Sequence, residues 1–206
     1  MSKSRSLNDG ALMTAPEREL FERTLAAGVR RYMEFGAGGS TLLALRAGAS
    51  DLVVVESDPT WIAAVAEHPE AAAAIAEHRL ALLGADIGPT REFGYPAAMD
   101  APAARWSRYV QVGWAEWARR GTRPDLVFVD GRFRVACCLS VLLACSDSPV
   151  RVLVHDICPE RPGYAAILSC YDVIMQSGTL YQLAPRPHLS AAGVLSALLE
   201  AQFDPR

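Results

Sequence analysis

The sequence predicts an α/β fold: a doubly wound, mostly parallel seven-stranded sheet with helices on both faces and a C-terminal antiparallel hairpin. Three observations lead there. Short β-branched runs alternate with helical apolar periods over most of the chain, as in a parallel sheet covered on both sides. A glycine-rich turn, Gly36-Ala37-Gly38-Gly39-Ser40, joins the first run to a helix, which lets the backbone approach a ligand closely. Chemically informative residues gather at or just past the ends of the runs: Glu34, Gly36, Glu56, Asp86, Asp130, His155 and Asp156. In such sheets ligands bind beyond the carboxyl ends of the strands, where strand order reverses, here between the first and fourth strands.

The elements follow in order. Thr14 as N-cap, Pro16 inside the first turn and Glu17 three residues after the cap open a helix. Its apolar positions are Leu20, Phe21, Thr24 and Leu25, and Gly28 ends it. Residues 29–35 read as the first strand and 51–56 as the second, with a helix through Thr41, Leu42, Leu43 and Leu45 between them. Asp58 caps the next helix with Pro59 at its first position, and His68-Pro69 breaks it before an alanine-rich continuation to His78. Residues 79–83 form a third strand. The Gly- and Pro-rich stretch 84–103 is an irregular loop, and 104–120 a helix bearing Trp106, Tyr109, Trp114 and Trp117. Residues 125–130 are the fourth strand, 133–145 a buried helix, 150–155 the fifth strand and 162–171 a short helix. Residues 172–176 and 180–184 flank Ser177-Gly178-Thr179 as a hairpin, and 190–203 close the chain as a helix. All 206 residues are expected in one domain, with 1–28 an N-terminal extension and helix, and 84–124 an insertion-like loop and aromatic helix.

Composition narrows the class. With 51% hydrophobic residues the chain is not disordered, and its length allows a core that needs no disulfide or structural metal. Lys plus Arg number 20 against 23 Asp plus Glu, which provides no overall electrostatic footprint for nucleic acid or a membrane surface. The first ten residues are polar, so they do not read as a secretory signal, and no apolar stretch is long enough for a membrane span. The five cysteines, Cys137, Cys138, Cys145, Cys158 and Cys170, form no CxxC pair, which argues against a disulfide framework or a zinc site. The expectation is a reduced, cytoplasmic protein with a small-molecule substrate and no nucleic-acid or membrane partner; a homo-oligomer is left open.

The run Glu34-Phe35-Gly36-Ala37-Gly38-Gly39-Ser40 has an acid followed by glycines at alternate positions. It resembles the first motif of the class I S-adenosylmethionine-dependent methyltransferases, with Ser40 in place of the last glycine. An NAD fingerprint would need a glycine where Thr41 stands. Glu56 lies 20 residues beyond Gly36, the spacing of an acid that accepts from ribose hydroxyls, and the resemblance gives it that role. Gly84-Ala85-Asp86 resembles the adenine-side motif, with Asp86 accepting from the adenine amino group. Pro124-Asp125-Leu126-Val127-Phe128-Val129-Asp130-Gly131 resembles the fourth motif of small O-methyltransferases. The resemblance spans residues 29–185 and implies a Rossmann-like methyltransferase fold with S-adenosylmethionine as cofactor. It assigns Glu34, Gly36, Ala37, Gly38, Ser40, Glu56 and Asp86 to cofactor binding. The implied reaction is methylation of a small molecule, at oxygen. The rival readings are a cofactor-binding protein without catalysis and a dinucleotide-dependent oxidoreductase.

An oxygen nucleophile must lose a proton, to a general base or through metal coordination. Asp130, His155 and Asp156 end adjacent strands and are the catalytic candidates. In the metal-dependent small O-methyltransferases that the chain resembles, an Asp ends the fourth strand and an acidic pair ends the fifth. Asp130 and Asp156 match, whereas His155 replaces an acid. A divalent metal would rest on Asp130 and Asp156, but the metal-free route is favoured because only two carboxylates remain for a hard ion. Base, ligand and structural roles for His155 all stay open. Arg132 is expected either to clamp a carboxylate or phosphate of the substrate or to pair with Asp130 or Asp156. Phe93, Tyr95, Trp106, Trp114 and Trp117 form either an aromatic lid or core, and Arg161-Pro162-Gly163-Tyr164 the opposite wall. Arg132, Trp106 and Tyr164 are the substrate-binding candidates.

Overall fold

A computed structural model describes residues 11–97 and 105–206. The polar N-terminal ten residues, the end of the long loop and the expected helix start at 104 lie outside the described residues. The order of elements is α1 (Ala15–Ala26), β1 (Arg31–Phe35), α2 (Gly39–Arg46), β2 (Asp51–Glu56), α3 (Pro59–Ala66), α4 (Pro69–Ala76), β3 (Leu80–Gly84), α5 (Arg108–Arg120), β4 (Leu126–Val129), α6 (Arg134–Ala144), β5 (Arg151–Val154), α7 (Ala165–Leu168), β6 (Tyr171–Ser177), β7 (Leu180–Pro185) and α8 (Ala191–Ala201).

The seven strands form one sheet in the order β3-β2-β1-β4-β5-β7-β6. The first five pair in parallel, while β7 runs antiparallel to β5 and β6 to β7. Alternation along each strand divides the core by face. Met33, Phe35, Val53, Val55, Val127, Val129, Val152 and Val154 bury one face with Tyr109, Trp117, Phe133 and α6. Tyr32, Leu52, Val54, Leu126, Phe128 and Leu153 bury the other with Leu20, Phe21, Leu25 and Leu42. Cys137, Cys138 and Cys145 are free thiols in the first of these cores. No helix among the described residues is long and apolar enough to cross a membrane.

Several boundaries differ from expectation for identifiable reasons. β1 starts at Arg31 because the Asp125 carboxylate takes the backbone N–H groups of Arg30 and Arg31 and pairs with the Arg31 guanidinium. The helix expected over 162–171 is a 3-10 turn, Pro162–Tyr164, followed by the single turn α7. Tyr171 instead opens β6, its buried hydroxyl donating to the Cys138 carbonyl at 2.8 Å. At the switch point between β1 and β4, Gly36 and Gly131 pack backbone against backbone. Gly36 has φ +102°, and a Cβ there would stand 2.7 Å from the Gly131 nitrogen. Only glycine combines that conformation with that approach.

Candidate active site

A cavity of about 400 Å³ opens over the carboxyl ends of β1, β2, β4 and β5. Gly36, Ala37, Gly38, Gly39 and Ser40 form its floor on one side, with Glu56 and Trp61 from the end of β2 and the start of α3. Asp130, Gly131, Arg132, Arg134, His155, Asp156 and Arg161 form the other side, and Phe93 and Tyr95 reach over from the loop after β3. A larger depression of about 690 Å³ lies at the amino ends of the strands, among Gly28, Arg31, Asp51, Asp125 and Arg151. Its Arg31 and Asp125 pair with each other, and none of the candidate residues lies there.

Glu56 is buried and held from both sides. One oxygen accepts from the Ala37 N–H at 3.1 Å, and the other from the N–H groups of Ser57 at 2.6 Å and Asp58 at 2.8 Å. Burial raises its pKa, against the lowering effect of those three bonds. The carboxylate therefore ties the glycine turn to the start of α3 while bordering the cavity.

Glu34 departs from expectation. It lies beneath the turn, fully buried, and receives both the Ser40 hydroxyl and, at 2.6 Å, the Thr41 hydroxyl. Burial outweighs those bonds and pushes its carboxyl up to about 8, with the charge of Asp130 adding to the rise. Glu34 thus builds the α2 entrance from below rather than offering a carboxylate to the cavity. Asp86 also stands elsewhere: its side chain is more than half exposed, accepts from the Gly88 N–H, and faces Arg105 and Arg108 at 3.5 and 3.7 Å. The buried residues on either side, Ala85 and Ile87, turn it outward.

Of the aromatic residues expected to form either lid or core, Phe93 and Tyr95 line the cavity, whereas Trp106 and Trp117 are core, as is Tyr109 beside them. Trp106 is buried with its ring 5.8 Å from that of Phe133, so it supports α6 and does not border the cavity. Trp114 is partly buried, and its indole N–H donates to Ser140 on α6 at 2.8 Å. Tyr164 is likewise buried, its ring beneath the guanidinium groups of Arg134 and Arg161 at 5.3 and 5.9 Å.

Asp130, His155 and Asp156 do come together, with ligand-capable atoms within 4.8 Å of one another. His155 Nδ1 meets Asp130 Oδ1 at 3.1 Å, and its Nε2 lies 3.6 Å from Glu17 on α1. Burial pulls the His155 pKa down, but the bond to Asp130 and the charges of Asp130, Asp156 and Glu17 more than reverse this and hold it above its ordinary value. Glu17 closes the capping box with Thr14, as the spacing predicts, and also accepts from the Thr179 N–H and hydroxyl in the β6–β7 turn, each at 2.8 Å. Burial opposes its charge; these bonds win and lower its pKa to about 2. Its second role, beside His155, has no local signal, because the two residues meet only in the folded sheet.

Arg134 organises the rest. It is 2% exposed in its side chain and reaches Asp130 at 3.2 Å and Asp156 at 2.9 Å, while donating to the carbonyls of Gly131, His155 and Asp130. Arg161 adds a second pair to Asp156 at 2.7 Å. Asp156 itself has φ +65°, and Arg134 and Arg161 keep its pKa below the ordinary value despite burial. This donor set does not fit a divalent metal: two guanidinium groups already neutralise the two carboxylates, and the imidazole lies between acids.

The sequence matches no protein-family model and no curated protein. Among solved structures, a methyltransferase-like protein from Silicibacter pomeroyi is 28% identical, with a TM-score of 0.74 over 95% of this chain and 98% of that one. The O-methyltransferase TomG from Streptomyces achromogenes, solved with S-adenosylmethionine, is 19% identical, with a TM-score of 0.54 over 84% and 80% of the two chains. An O-methyltransferase from Bacillus cereus, solved with S-adenosylhomocysteine, is 11% identical, with a TM-score of 0.53 over 85% and 84%. The fold is that of class I S-adenosylmethionine-dependent methyltransferases, and the likeness to the first of these structures extends over nearly the full length of both chains.

Proposed function

We propose that the chain transfers the methyl group of S-adenosylmethionine to an oxygen of a small-molecule acceptor. The observation that carries this reading is one cavity bordered by a glycine turn with Glu56 on one side and by Asp130, His155 and Asp156 on the other. The cofactors in the two O-methyltransferases of like fold support the same cofactor here.

Bound S-adenosylmethionine supplies an electrophilic methyl group for in-line displacement. Glu56 suits the ribose hydroxyls through Oε2, which keeps acceptor capacity beyond its bond to Ala37, while Oε1 is taken by the N–H groups of Ser57 and Asp58 and the Ser57 hydroxyl. Asp130 is the group to take the acceptor's hydroxyl proton. Its bonds from His155 and Arg134 both fall on Oδ1, which leaves Oδ2 as the proton acceptor. His155, flanked by Asp130 and Glu17, works as a charged positioning partner of Asp130 and not as the base. Arg134 and Arg161 fix the far wall, so no step here requires a metal.

The test is transfer of labelled methyl to a panel of phenols, catechols and hydroxy acids, with RNA and protein as macromolecular acceptors. Methyl ether or ester products in the small-molecule fractions are expected. Label appearing only in RNA or protein would contradict the acceptor class.

A further inference from the structure

We infer that Arg132 is the recognition group for a carboxylate or phosphate on the methyl acceptor, a deepening that rests on the methyltransferase reading above. Three arginines line the cavity, and two are committed: Arg134 to Asp130, Asp156 and three carbonyls, and Arg161 to Asp156. Arg132 differs. It is only 7% exposed, its Nε is buried with no hydrogen-bond partner, and it makes no ion pair among the described residues. A desolvated guanidinium without an anion is costly, and buried polar groups of this kind are rarely left unsatisfied.

The side chain is also held in place. The Arg132 backbone N–H donates to the Tyr109 hydroxyl at 3.2 Å, and its guanidinium lies 4.2 Å over the Tyr95 ring. A guanidinium seated on a ring face still has its N–H groups to offer an anion, and its planar fork suits bidentate recognition of carboxylate or phosphate. Charge points the same way. Asp130 and Asp156 are paired with Arg134 and Arg161, and the third carboxylate of the lining, Glu56, is bonded to the backbone N–H groups of Ala37, Ser57 and Asp58, so Arg132 has no carboxylate of its own. A sulfonium cannot be that missing partner, whereas an anionic acceptor can.

The cofactor's own carboxylate offers the same chemistry, so the experiment separates the two sources. The full chain, saturated with S-adenosylhomocysteine, is titrated calorimetrically with benzoate and with inorganic phosphate, and with benzyl alcohol as the neutral control. At least one anion should bind, and benzyl alcohol should bind at least about tenfold more weakly. Arg132→Gln should weaken the anion by about 10- to 100-fold, with S-adenosylhomocysteine affinity held within about twofold. Arg132→Lys keeps the charge without the fork and should fall between; it carries the comparison if the Gln variant does not fold. The inference is overturned if neither anion binds, or if Arg132→Gln leaves anion binding intact. It is also overturned if that variant weakens S-adenosylhomocysteine but not 5′-methylthioadenosine, which lacks the carboxylate. Failure of the wild-type chain to bind S-adenosylhomocysteine at all would instead overturn the methyltransferase reading.

Discussion

The backbone of Gly36 lies against that of Gly131, with no room between them for even one methyl group. This contact draws the ends of β1 and β4 together at the switch point, so that the glycine turn and Asp130 border the same cavity. Gly36→Ala adds both a strained φ and a clash with backbone that cannot swing aside. It should destabilise the fold by roughly 2–4 kcal/mol, read as a lower urea midpoint. An unchanged midpoint would show that the two strand ends are free to separate.

His155 sets the expected pH profile. With Asp130 as proton acceptor and His155 charged, kcat/KM should hold its level as pH falls through about 6.5 and should decline on the alkaline side as His155 loses its proton. His155→Gln should lower kcat by about 10- to 100-fold and remove the alkaline limb. A wild-type profile that falls with acidification through the ordinary histidine range would instead make His155 the base.

Glu34 gives a stability prediction with a definite sign. Its folded pKa of about 8 exceeds the unfolded 4.5, so the folded state holds the extra proton between those values. Its stability contribution is therefore fully present below pH 4.5 and is lost as pH rises toward about 8. Glu34→Gln mimics the protonated carboxyl, and its gain over wild type in urea should grow from pH 6 to pH 9, reaching a few kcal/mol in order of magnitude. A gap that stays constant with pH would show that Glu34 is charged throughout.

Arg134 stands between two acids, so its removal takes away the buried charge they share and leaves Asp130 only His155 and Asp156 only Arg161. Arg134→Met should cost about 3–5 kcal/mol, measured by denaturant unfolding. Turnover by the wild-type protein should be unaffected by EDTA. Loss of activity on chelation, restored by Mg, would show that a metal displaces these guanidinium groups in the working enzyme.

The parts of this architecture legible in the sequence are those with local causes. Asp58-Pro59 and His68-Pro69 set α3 and α4 through capping and proline geometry, and the β-branched run 51–56 needs both faces buried wherever it lies. Asp130, His155 and Asp156 could be grouped because parallel strands place their carboxyl ends side by side. The remainder depends on partners distant in sequence. Glu17 reads as a capping acid, and nothing near it signals Thr179 or His155. Arg134 reads as the first turn of an apolar helix, although its guanidinium joins the ends of β4 and β5. Trp106 and Asp86 illustrate the converse: the residue types suit a ligand, but packing against Phe133 and pairing with Arg105 and Arg108 place them away from the cavity.

The central claim, that this cavity holds S-adenosylmethionine with Glu56 on the ribose, is tested most directly by calorimetry. S-adenosylhomocysteine and NAD are each titrated into the wild-type chain and into Glu56→Ala, with the fold of the variant checked by circular dichroism. S-adenosylhomocysteine should bind at one site and NAD much more weakly, and Glu56→Ala should lose about 10- to 100-fold in S-adenosylhomocysteine affinity with its charged hydrogen bonds to the ribose. Tight NAD binding without S-adenosylhomocysteine binding, or S-adenosylhomocysteine affinity unchanged in a folded Glu56→Ala protein, would contradict it.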